Sequence, residues 1–167
     1  MTEPVRGRLK LFLGYAPGVG KTSAMLAAAA QRSQQGEKVL VAAAGQDVRG
    51  KSPALPISLK QLPLAGDGGL DIDGLFSSRP DLVVVDDLHA TNPTGARHPR
   101  RYQDVLELLD GGLNVYAALD VQHLESLIDD VFAITGYLER QPVPDEIVDQ
   151  AAVIELVDLP PEELQQR

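Results

Sequence analysis

The 167-residue sequence has no cysteine, no tryptophan, 4% aromatic residues and three histidines, His89, His98 and His123. Without thiols there is no disulfide framework, no thiolate zinc site and no cysteine nucleophile, and imidazole ligation is limited to those three side chains. Long apolar runs are also missing. The longest, around residues 24–30 and 82–85, fall far short of the ~20 residues a membrane-crossing helix needs, and the opening Met-Thr-Glu-Pro-Val-Arg-Gly-Arg carries no apolar segment of signal-peptide length. The expectation is a cytoplasmic chain without direct membrane insertion. Basic side chains are in the minority, 15 against 24 acidic, for a net charge of −9. That balance disfavours binding along a nucleic-acid backbone but leaves room for one local phosphate site. With 44% hydrophobic and 23% charged residues, the chain reads as one compact domain over residues 1–167 rather than a disordered one.

What is present is an alternation of strands and helices. Residues 9–13 alternate around leucines and run into a glycine- and proline-rich loop that ends at Lys21. A run of strong helix formers over 22–35 follows, with Gly36 placed as a C-cap. Val39–Ala44 is continuously apolar, as a strand buried on both faces would be. Residues 45–70 read as a loop with one or two short extended pieces. A short helix is expected over 70–78, strands over 81–86 and 113–119, and helices over 102–109 and 123–135 closed by glycines. A last strand over 153–157 precedes Pro160-Pro161 and a short acidic helix. This pattern calls for an α/β fold, a mostly parallel sheet with helices on both faces, whose ligands sit at the C-terminal ends of the strands.

Tyr15-Ala-Pro-Gly-Val-Gly-Lys-Thr22 has the G-x-x-x-x-G-K-[ST] phosphate-loop spacing, with tyrosine in the first position, between an expected strand and an expected helix. Ala16, Pro17, Gly18, Val19 and Gly20 would form the loop around the phosphate oxygens, with Gly18 and Gly20 letting backbone N–H groups curl round them, and Ser23 would join at the helix start. Lys21 would reach the terminal phosphates, and Thr22 would hold Mg²⁺ through its hydroxyl. Val83-Val-Val-Asp86-Asp87 resembles a Walker B strand, with Asp86 directed to the Mg²⁺ and Asp87 a candidate for polarising an attacking water, one methylene shorter than a glutamate. On the following loop, Arg97 is a candidate γ-phosphate contact in a basic cluster with Arg100 and Arg101, and a solvated basic loop fits the same residues. Asp120-Val-Gln122-His123 reads either as a sensor of nucleotide state or as capping of the next helix beside a partly buried histidine.

Four blocks carry a resemblance to a known family. They are Gly7-Arg-Leu-Lys-Leu-Phe-Leu-Gly-Tyr-Ala-Pro-Gly-Val-Gly-Lys-Thr22-Ser-Ala-Met-Leu26, Arg79-Pro-Asp-Leu-Val-Val-Val-Asp-Asp-Leu88, Arg97-His-Pro-Arg-Arg-Tyr-Gln-Asp-Val105, and Val121-Gln-His-Leu-Glu-Ser-Leu127 with Leu156-Val-Asp-Leu-Pro-Pro161. Together they span nearly the whole chain, which resembles the N-terminal cytoplasmic domain of the osmosensitive potassium sensor histidine kinases of the Kdp system, KdpD. The resemblance implies a P-loop module that binds Mg²⁺-ATP and tunes the kinase and phosphatase balance of an attached sensor kinase.

Departures from the family touch the same site: the family usually has a small residue in place of Tyr15, Asp-Glu in place of Asp86-Asp87 and Asn in place of Asp120. The stretch Ala44-Gly-Gln-Asp-Val-Arg-Gly50 replaces a Glu-Thr-His-Gly-Arg segment and a longer insert. The family's membrane helices, phosphoacceptor domain and kinase domain do not fit within 167 residues. The leading expectation is thus a regulatory ATP-binding module of potassium or osmotic signalling, working with a partner sensor kinase or response regulator. The alternatives are an active small P-loop NTPase or phosphotransferase, and a degenerate P-loop domain kept for protein contact.

Overall fold

The computed structural model describes residues 5–14, 20–43, 59–66, 68–136, 138–139 and 142–157. Six strands form one parallel sheet: β1 (Leu9–Gly14), β2 (Val39–Ala43), β3 (Lys60–Gln61), β4 (Leu82–Val85), β5 (Val115–Asp120) and β6 (Ala151–Val157). The helices are α1 (Lys21–Gln34), α2 (Ile72–Ser78), α3 (Arg101–Asp110), α4 (Ile128–Thr135) and α5 (Glu146–Gln150). The spatial order is β3-β2-β4-β5-β1-β6, so β5 lies between the strand leading into the glycine-rich segment and the strand ending at Asp86.

Side-chain alternation sorts the apolar residues onto two faces. Phe12, Val39, Val41, Leu82, Val84 and Ala118 pack with Met25, Leu26, Ala29 and Ala30 of α1. Leu9, Leu11, Val83, Val85, Val115 and Ala117 face the other way, against Leu75 of α2 and Val105, Leu108 and Leu109 of α3. β2 and β4, apolar at every position, are of the kind that is stable only when both faces are covered. One close approach joins the sheet to the end of α3: a Cβ on Gly7 would sit 1.8 Å from the Leu113 carbonyl oxygen, and Gly7 N–H donates to Leu109 O at 2.8 Å.

The expected helix over 123–135 is corrected. Residues Val121–His123 and Glu125–Leu127 form two 3₁₀ turns, and the α-helix begins only at Ile128. Leu124 between them is extended and pairs in parallel with Val143, through Val143 N–H to His123 O at 2.7 Å and Glu125 N–H to Val143 O at 3.0 Å. Both Leu124 and Val143 are buried, so a tertiary apolar contact overrides local helix propensity. The structure also adds α5, which the sequence pattern did not suggest. Residues 15–19, residues 45–58 of the expected 45–70 loop and the short acidic helix expected after Pro160-Pro161 lie outside the described residues. No helix among the described residues is long and apolar enough to cross a membrane.

Candidate functional site

Three elements bring polar side chains to the C-terminal edge of the sheet. At the start of α1, Gly20 has φ +97°, a left-handed conformation that glycine adopts without a Cβ penalty. Its carbonyl accepts the first helical hydrogen bond, from Ala24 N–H at 3.0 Å. Lys21 and Thr22 follow in the first turn, half-buried, and Ser23 is exposed. Ala16, Pro17, Gly18 and Val19 fall outside the described residues.

From the end of β4 comes Asp86, 1% exposed. Thr22 Oγ1 donates to Asp86 Oδ2 at 2.6 Å, and the Asp87 backbone N–H donates to Asp86 Oδ1 at 2.8 Å. Burial, then the Asp87 charge, push the Asp86 carboxyl up to about 6, while the Thr22 and Asp87 hydrogen bonds and the Lys21 ammonium pull the other way. A hydroxyl and a carboxylate already in contact make a hard-oxygen pair of the kind Mg²⁺ prefers. Thr22 and Asp86 therefore fit the metal that the motif implies. Asp87 holds φ +50°, a conformation sparsely populated by non-glycine residues and found disproportionately at functional sites.

From the end of β5 comes Asp120, opposite Gly14 in the register and 5% exposed. Lys21 Nζ lies 3.2 Å from Asp120 Oδ1, with side-chain exposures of 12% and 7%. The contact is an ion pair without hydrogen-bond alignment: Asp120 Oδ1 is buried and accepts no hydrogen bond among the described residues.

The contacts of Arg97 are with α2 and α3. Its guanidinium is paired with Glu107 and lies 3.2 Å from Asp73, and His98 joins Glu107 at 2.6 Å. The cation that meets the end of β4 is Arg101, whose side chain donates to Asp86 O at 3.0 Å and Asp87 O at 3.5 Å. Burial works against the Arg101 charge, and Asp87, Asp86 and Asp104 support it. The Arg-Arg pair was visible in the sequence, but which of its members reaches the strand depends on how α3 docks.

Two histidines were likewise not recognisable as a unit. His89 and His123 stack with ring centroids 3.7 Å apart and planes 6° from parallel, and His123 Nδ1 pairs with Glu139. Burial and the His123 charge lower the His89 pKa, against the pull of Asp87, Asp120 and Glu139. The stack thus sits among the carboxylates of the same sheet edge and joins the β4 loop to the turn after β5. Arg100 strengthens that corner by donating to His89 O at 2.9 Å.

The family described as "KdpD: Osmosensitive K+ channel His kinase sensor domain" matches residues 5–167. The Sensor protein KdpD of Escherichia coli K12 is 42% identical over 171 residues, covering 98% of this chain and 19% of that protein. The Sensor protein KdpD of Mycobacterium tuberculosis H37Rv is 41% identical over 169 residues, covering 97% and 20%. The Putative sensor protein KdpD of Synechocystis sp. PCC 6803 is 40% identical over 169 residues, covering 97% and 46%. The chain thus spans about a fifth of the length of the first two relatives and under half of the third.

Proposed function

The chain belongs to the family of osmosensitive K⁺ channel histidine kinase sensor domains, KdpD, and from that premise we propose that it is a regulatory Mg²⁺-ATP-binding domain of a potassium- or osmotic-stress-responsive two-component system. In this reading it modulates the kinase and phosphatase output of a partner sensor kinase, or acts through the cognate response regulator, in the cytoplasm. The observation that supports it most is the meeting of Thr22 with Asp86 at 2.6 Å, with Lys21 in the same turn, directly after a phosphate-loop spacing and at the sheet edge where parallel α/β folds bind ligands.

The residues divide the work by their chemistry. Lys21 supplies a point charge to terminal phosphates, and the start of α1 adds the positive end of its dipole. Thr22 and Asp86 would hold Mg²⁺, which when bound neutralises phosphate charge. Arg101 fixes the backbone carbonyls of Asp86 and Asp87 and so orients both carboxylates. Regulation would follow from differential affinity of two loop arrangements for the nucleotide, which shifts their populations.

Isothermal titration with Mg²⁺-ATP should show binding that Lys21→Ala abolishes. Binding of the partner kinase should then differ with and without nucleotide, and equal partner binding in both conditions would remove the regulatory role. No nucleotide binding by the wild-type chain would leave a protein-contact domain as the better reading. The left-handed Asp87 beside Asp86 favours a second reading, slow nucleotide hydrolysis with Asp87 polarising the water. Turnover that disappears in Asp87→Asn while nucleotide binding persists would establish it.

A further inference from the structure

We propose that Asp120 sets the nucleotide affinity of this site by holding the Lys21 ammonium that terminal phosphates require. The proposal rests on the nucleotide-binding reading above and assigns that site a built-in competitor.

Lys21 opens α1 and Asp120 closes β5, and the sheet order places β5 beside β1, so the two meet at 3.2 Å with little exposure. A buried ion pair is held together only while each charge keeps its partner. Asp120 Oδ1 accepts no hydrogen bond among the described residues, so the ammonium is what offsets its charge. A phosphate that draws Lys21 away leaves a buried carboxylate behind, and that carboxylate then stands close to the phosphate's own negative charge. Asp120 thus opposes anion binding twice, by competition and by repulsion.

The charges around it do not relieve this. Asp86 and Asp87 add two carboxylates, against Lys21 and the Arg101 guanidinium, whose Nη1 is turned to the carbonyls of Asp86 and Asp87. The stacked pair of His89 and His123 faces the same edge from the β4 loop and the turn after β5, and His123 is already committed to Glu139. Among the described residues, Lys21 has no ion-pair partner besides Asp120. Replacing Asp120 by its uncharged isostere therefore frees the ammonium without changing the shape of the site.

The test is titration of Mg²⁺-ATP into the whole chain carrying Asp120→Asn, Asp120→Ala, Asp120→Glu or Lys21→Ala, with Asp120→Asn/Lys21→Ala as the cross-check and thermal melts to confirm folding. Asp120→Asn and Asp120→Ala should bind roughly tenfold tighter than wild type, the scale of one close charge pair that is partly shielded from water. Asp120→Glu should stay near wild type. The gain should vanish for adenosine, which has no phosphates, and in the double variant. Folded Asp120→Asn and Asp120→Ala proteins that bind no tighter than a binding-competent wild type overturn the proposal. If Lys21→Ala changes nothing, or neither wild type nor the Asp120 variants bind, the nucleotide reading itself falls and takes this inference with it.

Discussion

At the scale of single residues, Asp86 carries the sharpest consequence. Its carboxyl titrates at about 6 when folded, against an ordinary 3.8, because burial and Asp87 disfavour its charge. The folded state therefore binds the proton more tightly than the unfolded one. The site is most stable below about pH 4 and loses on the order of 3 kcal/mol as pH rises through 6, because each tenfold difference in proton affinity is worth about 1.4 kcal/mol. A metal needs the opposite, ionised form. Mg²⁺-dependent nucleotide binding should thus weaken as pH falls below 6, while Asp86→Asn should raise the melting temperature at pH 7 and lose Mg²⁺ dependence; pH-resolved titrations and melting curves read both. A flat affinity between pH 5 and 7 would contradict this assignment. Lys21, Thr22 and Asp86 were legible in the sequence because their spacing is local: a glycine-rich run, a helix start, and an apolar strand ending in a carboxylate. The pairing of Lys21 with Asp120 was not, because it joins residues from elements far apart in the chain and exists only through their adjacency in the sheet.

At the scale of elements, caps and turns decide where helices stop. Helix α2 ends on Arg79 at φ +49°, an exposed non-glycine residue in a conformation glycine holds at lower cost. Arg79→Gly should therefore raise stability by roughly 0.5–1 kcal/mol, visible as a higher melting temperature, provided the gain at the cap exceeds the entropy glycine adds to the unfolded chain. A lower melting temperature would show that the Arg79 side chain matters more than its backbone strain. Asp71 at the other end accepts from Gly74 N–H at 3.1 Å and so caps the start of α2. Gly36, with φ +94°, and Gly136, with φ +76°, close α1 and α4 as their positions suggested. The split of the 121–135 region was not readable, since the extended Leu124 is held by Val143, from a stretch with no local periodic signal linking it to α4.

At the scale of the whole molecule, order should be graded from the sheet centre outward. Every residue of β4 is fully buried, as is most of β1 and β5, whereas α4 has no buried residue and leaves Phe132 and Ile134 50% and 83% exposed. Amide hydrogen exchange should consequently be slowest in β4, β1 and β5 and faster in α4, because local opening costs least where few apolar contacts are lost. Equal protection of α4 and β4 in mass-spectrometric exchange would mean that another surface covers α4 in solution. The α/β class, the alternation of strands and helices and most element boundaries were determined by the sequence alone, because hydrophobic period, glycine placement and motif spacing are properties of neighbouring residues. Only the tertiary structure decided the order β3-β2-β4-β5-β1-β6, and with it the ion pair of Lys21 with Asp120, the choice of Arg101 over Arg97 at the end of β4, and the stacking of His89 on His123. Each of those depends on which buried faces meet when the core closes, and burial is a property of the assembled chain.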